Sequence, residues 1–292
     1  MSILDDAGSG RDALLDEQAV LRLCLGPRDV QVILRASAQV LAAVRLRYGA
    51  FEAATEPSAA TAIAPPTTIE LTVRQGARFA PTLERESDAA LTLDGQGAVT
   101  LRGTALGRFD LQTRSGWLDG VAGLGPIDSM LRAALSLVLP EAGALLLHGA
   151  LVPSADGAAT VFVGQSGAGK STVARAFGAA CDELVIVRPV GDSLRAWATP
   201  YWQGRPFEAD CRTLVCLDRG APRVTTVRGA AAARLLAPHV VRYVAWPTAE
   251  RAILAGVAAT VERTQIVEAV CPTGDAFLPF LEQALAHKRV AA

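Results

Sequence analysis

The sequence predicts an α/β protein in which a smaller α+β domain, residues 1–135, precedes a P-loop domain, residues 136–292. Three observations predict it. Before residue 125 the chain carries short alternating apolar segments separated by Gly-bearing turns. From Leu145 the texture changes to continuous apolar runs, residues 145–152 and 158–163, of the kind that suits strands covered on both faces. The second run leads into Gly164-Gln165-Ser166-Gly167-Ala168-Gly169-Lys170-Ser171-Thr172 and then a helical segment, so strand, Gly-rich loop and helix follow in that order. The boundary between the two textures falls near residues 125–142.

Each element has a local reason. Residues 1–12 are polar and Gly-rich and read as a loose terminus. Residues 18–25 form a short apolar segment, and residues 30–34 read as a strand. Ser37 reads as the N-cap of a helix over 38–48 closed by Gly49, with Val40, Leu41, Val44 and Tyr48 on one face. Residues 53–68, rich in Ala, Thr and Pro, read as a loop, and 69–73 as a strand. Residues 91–93, 98–101 and 109–112 read as short strands, with Asp94-Gly95 as a hairpin turn. Residues 127–139 read as an amphipathic helix ended by Pro140, and residues 184–187 as a strand after the Gly-rich loop's helix.

Composition narrows the function classes. Hydrophobic residues make up 51% of the 292 and charged residues 20%, enough apolar matter for a core; aromatics at 5% leave that core to Leu, Val and Ala. A net charge of −1 with both signs interspersed argues against a nucleic-acid or anionic-membrane surface. Residues 1–6 carry acid where a signal peptide carries base, and no long apolar stretch is free of charge and proline, so a soluble cytoplasmic protein is expected. The five cysteines, Cys24, Cys181, Cys211, Cys216 and Cys271, are odd in number and lack CxxC spacing, which argues for buried free thiols over a disulfide frame or zinc site.

The Gly-rich segment fits G-x-x-x-x-G-K-[ST] in full. Gly164, Gly167 and Gly169 permit backbone conformations that turn N–H groups inward around phosphate oxygens. The helix that begins near Lys170 points its positive end at the same anion. Lys170 reaches the β- and γ-phosphates as a point charge, and the Ser171 hydroxyl ligates Mg²⁺. Only two lysines occur in the chain, Lys170 and Lys288, so a lysine kept in this loop carries a chemical reason. ATP and Mg²⁺ are the cofactors expected.

His148-Gly149-Ala150-Leu151-Val152, the Gly-rich loop, and then Asp182-Glu183-Leu184-Val185 together resemble the catalytic domain of HPr kinase/phosphorylase. They are closer still to the HPr-kinase-related proteins of bacterial peptide-modification clusters. The element Ala198-Thr199-Pro200-Tyr201-Trp202-Gln203-Gly204 after Arg188-Pro189, and the strand over 214–217, are similar too. The resemblance covers about residues 145–285 and implies a P-loop fold of the HPr kinase and carboxykinase type. It implies an ATP-dependent serine kinase acting on a protein or peptide, such as a precursor peptide or small carrier protein, and it is consistent with a homo-oligomer. It places Asp182 and Glu183 as the metal-side carboxylate and the base, with Asp182 beside Ser171 on the metal, and His148 at the γ-phosphate. An ATP-binding accessory protein without turnover, and a small-molecule kinase, stay open as alternatives.

In one respect the chain departs from the family pattern. Asp182 follows Lys170 by only 12 positions, fewer than the pattern has. Either the helix after the loop is short, or Asp182 does not occupy the acidic position and Asp192 is the fallback. Among Arg188, Arg195 and Arg205, Arg205 is the first choice for a phosphate or substrate clamp. Tyr201 and Trp202 read as local packing, and His239 and His287 as surface residues.

Overall fold

The computed structural model describes residues 18–53, 67–76, 79, 90–201 and 204–290, with side chains described as far as residue 284. Residues 1–12, most of the loop over 53–68, Trp202 and the side chain of His287 therefore lie outside the described residues.

The first sheet holds β1 (Ala19–Leu23), β2 (Val30–Ala36), β3 (Thr67–Gln75), β4 (Ala90–Leu93), β5 (Ala98–Arg102), β6 (Leu106–Asp110) and β7 (Ser115–Val121) in the order β1-β2-β3-β7-β6-β5-β4. β2–β3 and β3–β7 run parallel and the other pairs antiparallel. The β2-to-β3 crossover carries α1 (Ala38–Tyr48), whose first turn is closed by the Val40 N–H donating to the Ser37 hydroxyl at 3.4 Å. Gly49 is the C-cap of that helix, as the sequence predicts, though in a right-handed conformation. Its φ is −59°, and the chain runs on into a 3-10 turn, Gly49–Phe51. The β4–β5 turn also differs in detail. The Asp94 carboxylate accepts from the N–H groups of Gln96 and Ala98, and the left-handed residue is Gly97 at φ +84°, not Gly95.

α2 (Gly125–Glu141) is longer than the apolar period suggests, and Pro140 lies inside its last turn. Proline removes one hydrogen bond and crowds the preceding turn, a cost that weighs least where the helix ends one residue later. Its residues are buried on nearly all sides, because it packs on β5, β6 and β7 and also on the second sheet. The division expected at 135/136 thus falls within one helix.

The second sheet holds β8 (Leu145–Pro153), β9 (Ala159–Gly164), β10 (Cys181–Val190), β11 (Ser193–Ala198), β12 (Glu208–Arg219), β13 (Arg223–Val227) and β14 (Gln265–Cys271) in the order β11-β10-β8-β9-β12-β14-β13. It is mixed: β9, β12 and β14 are mutually parallel neighbours and the remaining pairs antiparallel. Apolar side chains of α3 (Lys170–Phe177) and α6 (Phe277–Val290) cluster with Ala150, Val152 and Phe162 on one face. Those of α4 (Gly229–Leu236) and α5 (Pro247–Arg263) cluster with Leu145, Leu147, Val161 and Val163 on the other. Runs 145–152 and 158–163 are continuous in apolar character because both faces are covered. The architecture is mixed α/β with two sheets and α2 between them. All five cysteines are unpaired, and four of them are buried. Among the described residues no helix is long and apolar enough to cross a membrane.

The short interval after Lys170 is met by a short helix. α3 has eight residues and ends at Gly178, φ +66°. β10 then begins at Cys181 rather than Leu184, so Asp182 and Glu183 are strand residues and not a loop end.

Candidate functional site

β9 ends at Gly164, level with Leu217 of β12. A Cβ at Gly164 would lie 2.8 Å from the Leu217 carbonyl oxygen, so only glycine lets the loop leave the sheet here. The loop folds back through the Ala168 N–H, which donates to the Gln165 carbonyl at 3.1 Å. Gly169 sits at φ +109°, where a Cβ would fall 2.6 Å from the Phe277 ring. Gln165, Ser166, Gly167 and Ser171 are exposed, Thr172 is half-buried and Ala168 is buried.

Lys170 opens α3 and is 8% exposed. Its ammonium donates to the carbonyls of Gly164 at 2.8 Å and Gln165 at 3.1 Å, which uses two of three donors. No carboxylate lies within ion-pair range of it among the described residues. Burial holds its pKa below the ordinary value, and the more distant charge of Asp182 opposes that.

Asp182 stands opposite Ala150 in the β10–β8 ladder, on the face that α3 covers. Burial pushes its pKa up; the nearby Ser171 hydroxyl and the charges of Lys170 and Arg175 pull it down. One of its oxygens, Oδ1, is buried with no hydrogen-bond partner. Glu183, the next residue on the strand, projects the other way. Both of its oxygens are taken by the Arg132 guanidinium of α2, at 2.7 and 3.2 Å. The acidic pair is therefore divided. Asp182 faces Ser171 and Lys170, whereas Glu183 belongs to a cluster between the sheets.

That second cluster is continuous. The Arg132 guanidinium lies 4.4 Å over the Tyr201 ring, and Tyr201 meets Tyr48 edge-on at 6.0 Å. The Tyr48 hydroxyl donates to Asp128, which also pairs with Arg47. Tyr201 is fully buried, in keeping with a packing role.

His148 lies on β8 opposite Leu184, one residue beyond the end of the β9 pairing. Its neighbours thin the water around the ring, and the charge of Lys170 adds to this; both hold its pKa below the ordinary 6.5, against the Glu183 backbone carbonyl. Its side chain is nevertheless exposed at the rim. His239, expected at the surface, is instead buried at 9% exposure, because the segment that carries it fills the edge of β8 where β9 has ended.

Sequence reasoning missed Arg219, at the end of β12. Its guanidinium donates to the carbonyls of Gly167 at 3.3 Å and Pro272 at 2.9 Å and lies 4.5 Å over the Phe277 ring, tying the loop to the start of α6. Nothing local in the sequence announces it. Arg188 is held by Asp29 at 2.7 Å, and Arg195 by Glu208 at 3.4 Å. The Arg205 guanidinium is 5.9 Å over the Phe207 ring, and Asp192 is exposed in the β10–β11 turn.

In chemical terms the arrangement sets an ammonium and the N–H end of a helix against a carboxylate and a hydroxyl, an anion site beside hard oxygen donors. Among the described residues no group of three His, Cys, Asp or Glu side chains is arranged to hold a metal unaided. Two oxygen donors fit Mg²⁺, which keeps several waters and shares substrate phosphates, better than they fit a metal held by protein alone.

No protein-family model matches the chain, and no curated protein matches it. Among solved structures, that of the HPr(Ser) kinase/phosphatase from Coxiella burnetii is similar over 50% of this chain and 95% of that one, at 12% identity and a TM-score of 0.29.

Proposed function

We propose that the chain binds ATP with Mg²⁺ on the loop of residues 164–172 and transfers the γ-phosphoryl group to a serine hydroxyl of a protein or peptide. The observation that carries this is the buried, carboxylate-free ammonium of Lys170 facing an Asp182 oxygen with no partner. A buried charge and a buried lone pair left so cost stability, and a bound anion with a hard cation satisfies both at once. The bound nucleotide and metal supply the phosphoryl group and the neutralisation of its charge. The backbone of Gly164 to Thr172 holds the phosphates, Lys170 sets a positive charge against them, and Ser171 and Asp182 hold the metal. Asp182 and His148 orient the acceptor hydroxyl. Such a site works by positioning and by pre-set charge.

Glu183 favours a second reading. Its carboxylate is engaged by Arg132, which leaves one acid at the site and suits an accessory protein that holds ATP without transferring phosphate. Two measurements separate the readings. Calorimetry with MgATP is expected to give tight binding to the wild type and to lose about 1.5–3 kcal/mol of it in Lys170→Ala; equal affinities overturn the site. Incubation with γ-labelled ATP and a lysate of the source cell is then expected to label phosphoserine in a protein or peptide, and Asp182→Ala to bind nucleotide without labelling. Binding with no labelled product supports the accessory protein, and a labelled low-mass compound supports a small-molecule kinase.

A further inference from the structure

The β8–β9 ladder ends at the Gly149–Val163 pair, so the first half of β8 has no strand on that side. The chain after the 3-10 turn Ala237–His239 takes that place. Val240 pairs with Leu147 in an antiparallel bridge, and the Val241 N–H donates to the Leu146 carbonyl at 2.8 Å. Antiparallel partners step in opposite directions, so one step along from Leu147–Val240 brings His239, the last residue of the 3-10 turn, beside His148 along the backbone. His148 shares one face of β8 with Ala150 and Val152. The face is the one on which Ala150 and Val152 meet Val173 and Ala174 of α3, the helix that Lys170 opens.

We propose that His239 is a residue of the same site, and that its ring and that of His148 together receive the acceptor hydroxyl on the side of the loop away from Ser171. This rests on the nucleotide reading given above. A buried imidazole is ordinarily satisfied by a neighbour. No described residue hydrogen-bonds the His239 ring, and its nitrogens are not among the buried side-chain atoms that lack a partner, so they stay open to the surface and to a group that enters. The charged groups facing the two rings are all basic: Lys170 and His148 act on His239, and Lys170 and Arg132 on His148. Burial first, and these charges second, hold both rings below the ordinary 6.5 and therefore neutral at pH 7. A neutral imidazole offers one accepting nitrogen, the complement of a hydroxyl proton, and one N–H donor. The pair can thus accept from an alcohol acceptor, beside a loop that takes phosphate.

The chain has three histidines, so its imidazole Cε1–Hε1 NMR spectrum holds three signals, assignable by His148→Gln, His239→Gln and His287→Gln. A magnesium complex of a non-hydrolysable ATP analogue is titrated in. Both the His148 and His239 signals are expected to move, and both rings to titrate about one pH unit higher in the complex, because the triphosphate charge favours imidazolium. His148→Gln is expected to raise the titration midpoint of His239 in the free protein, since it removes a like charge; an unchanged midpoint overturns the pairing. If His148 responds to the analogue and His239 does not, the inference fails while the nucleotide site stands. If neither responds and calorimetry shows no binding, the nucleotide reading has failed.

Discussion

Two polar clusters flank a single strand, β10, and they are built on opposite rules. Between the sheets every carboxylate meets a guanidinium: Glu183 takes the fork of Arg132, and Asp128 takes Arg47 together with the Tyr48 hydroxyl. At the Gly-rich loop, Lys170 donates only to carbonyls, and Asp182 keeps a buried oxygen with no donor. Adjacent residues of one strand, Asp182 and Glu183, fall into different clusters because a strand alternates its faces. Between the sheets the carboxylates are matched within the chain, although Arg132 Nε and the Tyr201 hydroxyl are buried there without a partner. At the loop it is a carboxylate oxygen that lacks one, and its partner is expected from outside.

The largest test of this contrast is Asp128→Ala. It strands Arg47 and the Tyr48 hydroxyl in a largely buried place, and is expected to cost about 3–5 kcal/mol in urea unfolding while leaving nucleotide affinity of the folded protein unchanged. A loss under about 1 kcal/mol would place this pair with ordinary surface ion pairs. Glu183→Gln comes next, with an expected loss of about 1–3 kcal/mol from the weakened bond to Arg132 and unaltered MgATP binding. Loss of phosphoryl transfer at undiminished stability would instead return Glu183 to the loop cluster and erase the division. Asp182→Asn should move the other way. Removing a charge whose burial is uncompensated raises the urea midpoint, whereas the magnesium-dependent part of ATP affinity falls; a lower midpoint would show that Asp182 is already matched.

The smallest effect is in pH. His148 and His239 are held below 6.5, so their contribution to stability is complete above that value and is lost as pH falls through their folded-state values. Asp182, held above its ordinary value, acts in the reverse sense: its burial cost is relieved on the acid side and returns as pH rises through its folded-state value. Urea midpoints taken from about pH 7.5 to about pH 5 are expected to fall less steeply in His239→Gln than in the wild type. An identical slope would remove His239 from the titrating set.

The Gly-rich loop was legible in the sequence because each of its positions has a local cause: glycines where a Cβ would strike Leu217 or Phe277, and a lysine in a chain that has almost none. The strands on either side were legible because both of their faces are covered. α5 was not, since its buried positions include Ala249, Gly256 and Thr260, small residues that leave a faint apolar stripe although Gly256 lets Leu145 approach closely. The Arg132–Glu183 bond and the meeting of His239 with β8 were invisible for a different reason. Each joins residues far apart in the chain, and no local period or spacing records which strand ends early and what fills the gap.

α2 has one more consequence. A helix that turns apolar residues to two sheets at once leaves neither half of the protein with a finished exterior. Cloning either half alone would lay bare the surface that the other half covers, so an insoluble product is the expected result wherever the cut is placed along that helix. Joining the half that carries the Gly-rich loop to a foreign partner is expected to fail likewise, because α2 would again lack one of the two sheets it packs on.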